Sequence, residues 1–432
     1  MPNMYQLFLL LTSLAVHLCI GQEICSSVNC VLPSCMCLTT KHPITQDVKQ
    51  LPQLILLSFV GDLNKYSLDS LRSILNPVHR NPDKCPISST FIVNDKHTDY
   101  CFVQRLFDNN NEIAITAASN KCPLTNCYGE SSWHKWDHDQ WTNEIKTQRE
   151  NIVRKAQIHY SHIKGFRVPH LQIDDKRHLH VIRDFSFNYD SSMIFARSRH
   201  ENRENITLPV WPFTLDYQIG NKDFLCENCG YEKITTFQGL WEFPLHHWHD
   251  PNINVKCHTL ADTSRCFPNG ETVDLLYELM IYNFNLHYNF NRAPLVIELD
   301  LVWLYDNDQH LEVIIRFIKH IIKINNDDIY FVSISQALEW MKYPRLLNET
   351  KDFWAFQCDR MKYDYDIKCR DGYNDDKNQI ENPLSKNSSN TLETIVDYQD
   401  EQLFHGGLLF HCIWICLVLV LLIIFYDKYL SK

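Results

Sequence analysis

The sequence predicts an α/β fold in which parallel strands and helices alternate and close into a (β/α) barrel. Short apolar runs alternate along the 432-residue chain with longer segments whose apolar residues recur at helical spacing. This alternation is typical of βαβ units, and enough units follow one another to close a barrel. Seventeen cysteines indicate that disulfides stabilise the fold.

The predicted elements follow one another in strand and helix order. Apolar runs indicate strands at residues 53–59, 89–93, 112–115, 165–169, 294–299 and 329–332, and another that leads into residues 188–191. Helical spacing or composition indicates helices at residues 67–75, 101–109, 139–156, 177–184, 274–288, 310–324 and 335–341. In such barrels the reactive groups lie at the carboxyl ends of the strands.

Apolar segments near both ends predict a route through the secretory pathway. Residues 7–20 lie ahead of Gly21, and we assign residues 1–21 to a signal peptide. Residues 408–426 form an apolar run long enough to span a bilayer as a transmembrane helix. Two lysines in the tail 427–432 favour a cytoplasmic C-terminus. We expect a single-pass type I protein of the plasma membrane with the barrel outside the cell, and a lipid anchor is the alternative.

Between these ends the chain divides into three segments. Residues 22–52 form a Cys-rich N-terminal edge, and residues 53–345 form the barrel. Residues 346–405 form a Cys-containing tail that continues as a polar stalk, because the stretch 374–403 is acidic and serine-rich. The transmembrane helix itself is assigned to residues 406–426.

The cysteines between the two apolar ends predict a disulfide framework. Their number is even, which fits an oxidising compartment. They are Cys25, Cys30, Cys35, Cys37, Cys85, Cys101, Cys122, Cys127, Cys226, Cys229, Cys257, Cys266, Cys358 and Cys369. A lone CxxC at Cys226 and Cys229 also suggests a metal knuckle, but disulfides explain it better in a secreted chain. Sequons at Asn205, Asn348 and Asn387 fit surface glycosylation.

Distinctive strings of residues between about residues 30 and 343 resemble a known family. They are Asn76-Pro, Cys85-Pro-Ile, Tyr189-Asp-Ser-Ser, Trp211-Pro-Phe-Thr-Leu-Asp-Tyr, Gly239-Leu-Trp-Glu-Phe-Pro, Asn291-Arg-Ala-Pro and Asp328-Ile-Tyr-Phe-Val. These strings resemble those of the animal chitin deacetylases, which belong to the polysaccharide deacetylase (NodB-type) family. The resemblance implies a distorted (β/α) barrel. It also implies an activity that removes acetyl groups from N-acetylglucosamine units, with zinc held by one Asp and two His.

The positions that carry this chemistry in the family hold other residues here. The resemblance puts Val60 at the catalytic base and Gly61, Thr116 and Asn120 at the three metal ligands. Asp300 stands where the family has its acid histidine. Threonine and asparagine oxygens are poor zinc ligands beside imidazole, and valine and glycine side chains offer none. We therefore expect no catalytic residue, no metal ligand and no cofactor at these positions.

Three further residues are candidates for binding a sugar. Arg167 matches the family arginine that orients the catalytic Asp, and without that Asp it either contacts a glycan hydroxyl or forms a structural ion pair. The candidate partners of such an ion pair are Asp62, Asp190 and Asp300. Trp211 and Trp303 either line a sugar-binding cleft or belong to the core.

Two groups of histidines raise the question of a different metal site. His134 and His138 have i,i+4 spacing, which puts two side chains on one helix face. His246, His247 and His249 form a denser group. Among 21 histidines such groups arise by chance, and we expect both to consist of surface histidines.

Three carboxylates near predicted strand ends allow an alternative chemistry. Asp62, Glu298 and Asp300 could supply an acid and a base if their pKa values are separated, as in glycosidases. However, Asp62 lies two residues beyond Val60, roughly 6–7 Å along a strand. It therefore replaces the base only if the strand contains a bulge.

The sequence favours a catalytically inactive, chitin deacetylase-like protein of the cell surface. It would bind chitin or another N-acetylglucosamine-containing glycan, or organise a matrix that contains one. Two alternatives stay open: an active deacetylase with a rearranged site, and a receptor or scaffold that binds a protein partner. The formal net charge of −11 argues against nucleic acid as a partner.

Overall fold

The structure is a computed structural model that describes most of the predicted barrel. The described residues are 25, 30–42, 44–45, 47–119, 133–173, 177–196, 208–216, 226–229, 236–250, 255–262, 266–267 and 270–358. Several predictions lie outside them: the segments 1–21 and 406–426, and the residues Asn120, Cys122, Cys127, Asn205, Cys369 and Asn387. Within the described ranges, no helix is both long enough and apolar enough to cross a membrane.

A nine-stranded sheet forms the centre of the described fold. Its strands are β1 (Gln53–Gly61), β2 (Thr90–Val93), β3 (Glu112–Ile115), β4 (Gly165–Phe166), β5 (Tyr189–Asp190), β7 (Phe213–Thr214), β8 (Trp241–Glu242), β12 (Leu295–Asp300) and β13 (Ile329–Phe331). Four short strands lie outside it: β6 (Ile194–Phe195), β9 (Leu245–His246), β10 (Trp248–Asp250) and β11 (Val255–Cys257).

The order of the strands makes the sheet a half-barrel. The hydrogen-bonded order is β12-β1-β2-β3-β4-β5-β8-β7, and β13 also pairs with β1. All neighbours run parallel except β7 and β8. Among the described residues the end strands β12 and β7 do not pair with each other, so the sheet is an arc rather than a closed barrel. The predicted α/β class is confirmed in this half-barrel form.

Strand β1 is the middle of the fold because it is apolar on both faces. All but one of its residues are buried, as expected for a parallel strand covered on both sides. It pairs with β12 so that Ser58 lies beside Glu298 and Val60 beside Asp300. This register brings the carboxyl ends of two strands from distant parts of the chain to one edge.

Nine described helices connect and cover the strands. They are α1 (Lys65–Ile74), α2 (Tyr100–Asp108), α3 (His138–Ala156), α4 (Arg177–Asp184), α5 (Val273–Leu286), α6 (Leu301–Asp306), α7 (Asp308–Ile324), α8 (Ile334–Lys342) and α9 (Leu347–Thr350). Asn64, Asp137 and Ser333 begin α1, α3 and α8 with capping boxes, which satisfy amide groups that the helix leaves free. The short helix α6 was not predicted; Asp300 begins it by accepting a hydrogen bond from the Trp303 amide at 2.9 Å.

The described cysteines form disulfides, as the cysteine content predicts, and one of these bonds joins distant parts of the chain. The described pairs are Cys25–Cys35, Cys30–Cys37, Cys85–Cys358, Cys226–Cys229 and Cys257–Cys266. Cys101 is also disulfide-bonded. The Cys85–Cys358 bond ties the segment ahead of β2 to the end of the described chain. The CxxC at Cys226 and Cys229 is a disulfide, which excludes those two thiols as metal ligands.

Candidate functional site

The candidate site lies at the carboxyl ends of β1, β3 and β12. Val60 is partly exposed there, and Gly61 is buried with a φ of 135°. Thr116 directly follows β3; its side chain is buried, and its Oγ1 has no hydrogen-bond partner. Val60, Gly61 and Thr116, which the resemblance assigns to the base and two metal ligands, therefore lie at the same edge of the sheet and carry neither imidazole nor carboxylate.

Arg167 is a buried structural side chain. It leaves strand β4 and donates hydrogen bonds from Nη1 to Ser58 Oγ at 2.8 Å and from Nη2 to Ser191 Oγ at 2.7 Å. Its Nε donates to the Ser191 carbonyl at 2.6 Å. The guanidinium thus ties β4 to β1 and to the segment after β5. At 2 % exposure it is held by serines rather than presented to a ligand.

Burial raises the pKa of two of the three carboxylates at the strand ends. Burial raises the pKa of Glu298 to about 7, the nearby Arg167 opposes the shift and Asp300 adds to it. Burial also raises the pKa of Asp62, which His97 and Lys96 oppose. One oxygen of Glu298 and one of Asp62 are buried without a hydrogen-bond partner. Both oxygens are shut off from solvent, so a ligand reaches them only if the surrounding side chains move.

The two candidate tryptophans occupy different surroundings. Trp211 is fully buried, with its ring centre 4.4 Å from that of His42 and 6.3 Å from that of Trp340. This placement favours the core alternative for Trp211. Trp303 lies in α6 beside the strand ends, and its ring stacks on His310 at 4.0 Å. Its indole Nε1 is buried without a hydrogen-bond partner.

A buried pair of acids at the ends of β5 and β8 was not predicted. Asp190 and Glu242 are adjacent in the paired strands β5 and β8, and both are fully buried. Burial is the main reason that the pKa of Asp190 rises to about 6 and that of Glu242 rises well above its usual range; the charge of Asp190 raises Glu242 further. Glu242 Oε1 accepts the amides of Ser192 and Met193 at 3.2 and 3.0 Å. The pKa of Glu242 is raised more than that of Asp190, so Glu242 is the member of the pair that keeps its proton to higher pH.

The expectation that the histidine group is a surface feature was wrong for two of its members. His246 and His247 are 7 % and 1 % exposed because β9 and its continuation are covered on both sides. His246 Nε2 accepts the Val210 amide at 2.9 Å. His247 instead meets Glu227 and His258, two residues that sequence spacing did not connect to it. His138 is exposed, as expected.

Comparison with known proteins identifies relatives of the whole half-barrel. The chain is 27% identical over 341 residues to chitin deacetylase 1 of Bombyx mori, a match that covers 77% of this chain and 60% of that protein. It is 26% identical over 347 residues to chitin deacetylase 8 of Bombyx mori, covering 79% of this chain and 85% of that protein. The chain is an animal chitin deacetylase-like protein. No family model matches it.

Solved structures that resemble this chitin deacetylase-like chain include carbohydrate-active enzymes. The Xyl-CE4 domain of a multidomain xylanase from the hindgut metagenome of Trinervitermes trinervoides is 13% identical; the match covers 67% of this chain and 90% of that one, with a TM-score of 0.36. The catalytic domain of a peptidoglycan N-acetylglucosamine deacetylase from Eubacterium rectale is 11% identical, with coverage of 68% and 94% and a TM-score of 0.36.

Proposed function

We propose that this chitin deacetylase-like protein is catalytically inactive and binds an N-acetylglucosamine-containing glycan at the cell surface. The observation that carries the proposal is the set of side chains at the strand ends. The resemblance assigns Val60 to the base, Gly61 and Thr116 to two metal ligands and Asp300 to the acid, and none of the first three has a side chain that can do that chemistry.

Amide hydrolysis needs more than a cleft of the right shape. It needs a base that activates water, an electrophile that polarises the carbonyl, and an acid that protonates the leaving amine. Loss of one member of such a unit typically lowers the rate by about 10³-fold or more. Here the base and metal-ligand positions carry no group that performs these steps, so coordinated loss favours an inactive site.

The side chains that remain are suited to binding. Glu298 and Asp62 offer unpartnered buried oxygens, and sugar hydroxyls and amines donate to such acceptors. Trp303 lies next to them with an unpartnered Nε1 donor. The disulfides support a secretory route, and the apolar segment 408–426 supports a tether to the plasma membrane.

The first experiment is an activity assay on the full-length chain. Acetylated chito-oligosaccharides are incubated with the protein and added zinc or cobalt, beside chitin deacetylase 1 of Bombyx mori, and released acetate is measured. We expect no acetate above the no-protein blank. Metal-dependent acetate release would instead favour an active deacetylase with a rearranged site.

The second experiment measures binding of acetylated and deacetylated chito-oligosaccharides. Asp300→Asn and Glu298→Gln should weaken binding by about 10-fold, which corresponds to about 1.4 kcal/mol. Asparagine is an equally good N-cap, so the first variant removes charge without uncapping α6. Asp308→Asn, an exposed carboxylate on α7, is the matched control and should bind normally. No glycan binding by the wild type, together with recovery of a specific protein partner, would favour a scaffold.

A further inference from the structure

Glu227, His247 and His258 bring three metal-ligating atoms together away from the family's ligand positions. His247 Nε2 lies 2.8 Å from Glu227 Oε2, and His258 Nε2 lies 3.2 Å from the same oxygen. All three ligand atoms lie within 4.8 Å of one another. The two imidazole rings are stacked, with centres 4.8 Å apart and planes 24° apart.

The pairing of β10 with β11 explains why the two histidines meet. Trp248 is opposite Cys257 in this antiparallel pair. His247 precedes Trp248 and His258 follows Cys257, so the two histidines are the next cross-strand pair. Opposed residues of an antiparallel pair have Cβ atoms about 4.5–5.5 Å apart, which leaves room for one ion between the ring nitrogens and a third ligand.

Pairing with strand β6 positions the Glu227 carboxylate beside the two histidines. The His247 amide donates to the Phe195 carbonyl on one side of β6, and the Glu227 amide donates to the Ile194 carbonyl at 2.9 Å. Phe195 also forms a bridge with Cys226. The backbones of Glu227 and His247 are therefore both hydrogen-bonded to the two-residue strand β6.

The supporting structure fixes the segments that carry the ligands. Glu227 lies inside the Cys226–Cys229 disulfide loop. Its neighbour Asn228 donates to the carbonyls of Leu171 and Ser192, both at 2.7 Å. His258 directly follows Cys257, which is disulfide-bonded to Cys266. Because the segments that carry the ligands are already fixed, less conformational entropy is lost when a metal binds.

We propose that Glu227, His247 and His258 form a zinc-binding site that cross-links these segments. Two imidazoles and one carboxylate are a ligand set that zinc takes in proteins. Zinc bonds of about 2.0–2.1 Å in a tetrahedron put ligand atoms about 3.3 Å apart. Lengthening the 2.8 Å contact between Glu227 and His247 to this distance takes a shift of about half an ångström, and the Glu227 side chain is partly exposed. The partly exposed His258 ring must also turn out of its stacked position, because an imidazole nitrogen binds a metal in the plane of its ring.

Three protein ligands leave the fourth position of the ion to water. The side chains of Glu227 and His258 are 29% and 38% exposed, so this position faces solvent. The proposal departs from the expectation that the protein binds no metal, which concerned Gly61, Thr116 and Asn120. It is independent of the proposed glycan function, because none of its ligands belongs to the strand-end site.

The test is zinc binding by the full-length protein, stripped with a chelator and titrated with zinc alone. Bound metal is counted by elemental analysis after dialysis, and cobalt is used in parallel because tetrahedral cobalt absorbs visible light strongly. We expect one zinc per chain in the wild type. Glu227→Gln and His258→Gln change partly exposed side chains, so both should fold, and each should weaken zinc binding by at least about 10-fold.

Two control variants make the result decisive. His138→Gln removes an exposed histidine whose ring nitrogens lie 3.8 Å from Asp139 and from Asp184, and it should bind zinc as the wild type does. Asp300→Asn changes the strand-end site and should also leave zinc binding intact. The proposal is overturned if the wild type binds no zinc, or if Glu227→Gln and His258→Gln bind it as tightly as the wild type. Zinc lost only in Asp300→Asn would overturn it as well and would place the metal at the strand ends.

Discussion

Gly61→Ala tests whether only glycine tolerates the backbone conformation at residue 61, a position that the resemblance assigns to a metal ligand. Gly61 has a φ of 135°, and an added Cβ would lie 3.3 Å from Leu301 Cβ. A residue held in such a conformation costs about 1–3 kcal/mol. Alanine also restricts the conformations of the unfolded chain, which offsets about 0.4–1 kcal/mol of this loss of stability. With the close contact added, we expect the free energy of unfolding to fall by about 1–3 kcal/mol.

The matched control is Gly239→Ala. Gly239 also has a positive φ, 73°, but an added Cβ would meet nothing within 4 Å. A left-handed alanine costs about 1–2 kcal/mol before the same entropic return, so the net loss should be about 1 kcal/mol or less. Urea unfolding with disulfides intact, followed by tryptophan fluorescence, measures both variants at an unchanged m-value. If Gly61→Ala loses no more stability than Gly239→Ala, the reasoning about Leu301 and the backbone is refuted.

The same strain limits any attempt to restore the family's site. Gly61→Asp adds the Cβ contact with Leu301 and a carboxylate in a buried position, whose desolvation a metal would have to offset. Restoring Val60→Asp, Thr116→His, Asn120→His and Asp300→His beside it should therefore give a protein that is unstable until zinc is added.

Three further predictions concern the rest of the molecule. Glu242→Gln keeps the hydrogen bonds of Glu242 and donates one to Asp190. The raised pKa of Glu242 in the folded state stabilises the wild type at low pH, and this stability is lost as the pH rises above the unfolded pKa. The free energy of unfolding of the variant should therefore rise relative to that of the wild type between pH 5 and 8, by at most about 1.4 kcal/mol per pH unit. Equal pH profiles in urea unfolding would contradict this. Arg167→Lys cannot reproduce the fork of three hydrogen bonds and should lower the free energy of unfolding by about 2–4 kcal/mol; unchanged stability with lost glycan binding would show a ligand role instead. Truncation after Glu401 should release the protein to the medium, and retention of the truncated form in membrane fractions would rule out a C-terminal anchor.

The long elements of the fold were predictable because each has a local signal. The strand at residues 53–59 and the helix at residues 310–324 appear as β1 and α7 within a few residues of the predicted ends. The apolar run of β1 and the amphipathic pattern of α7 can each be recognised from consecutive residues of the sequence. The strands β6 and β9 were missed because two residues carry no periodicity. They exist only through partners far away in the chain.

The sequence located the residues of the candidate site along the chain but not their geometry. Family strings located Val60, Gly61, Thr116 and Asp300, and strand register brings Val60 beside Asp300. The positive φ of Gly61 has no signature in the sequence beyond the glycine itself. The contact between His247 and Glu227 depends on long-range strand pairing, which no local sequence pattern predicts. For the same reason the histidine group was wrongly assigned to the surface.

Two buried polar side chains of the half-barrel have roles in folding that need no catalysis. Glu112, four residues ahead of Thr116, accepts hydrogen bonds from Thr90, Tyr189 and the amide and hydroxyl of Ser335. It is fully surrounded and joins β2, β3, β5 and the start of α8. An unsatisfied buried donor costs about 1–3 kcal/mol, so loss of this carboxylate would disturb four elements at once.

Arg167 occupies an equivalent position between β4, β1 and the segment after β5, with all three of its hydrogen bonds made to serines. Residues that hold the half-barrel together must stay whether or not the protein hydrolyses anything. If the proposed function is correct, residues that serve only the reaction, at the positions of Val60, Gly61 and Thr116, can change without disturbing this buried polar network. The proposal therefore requires a fold that keeps the first set of residues without the second.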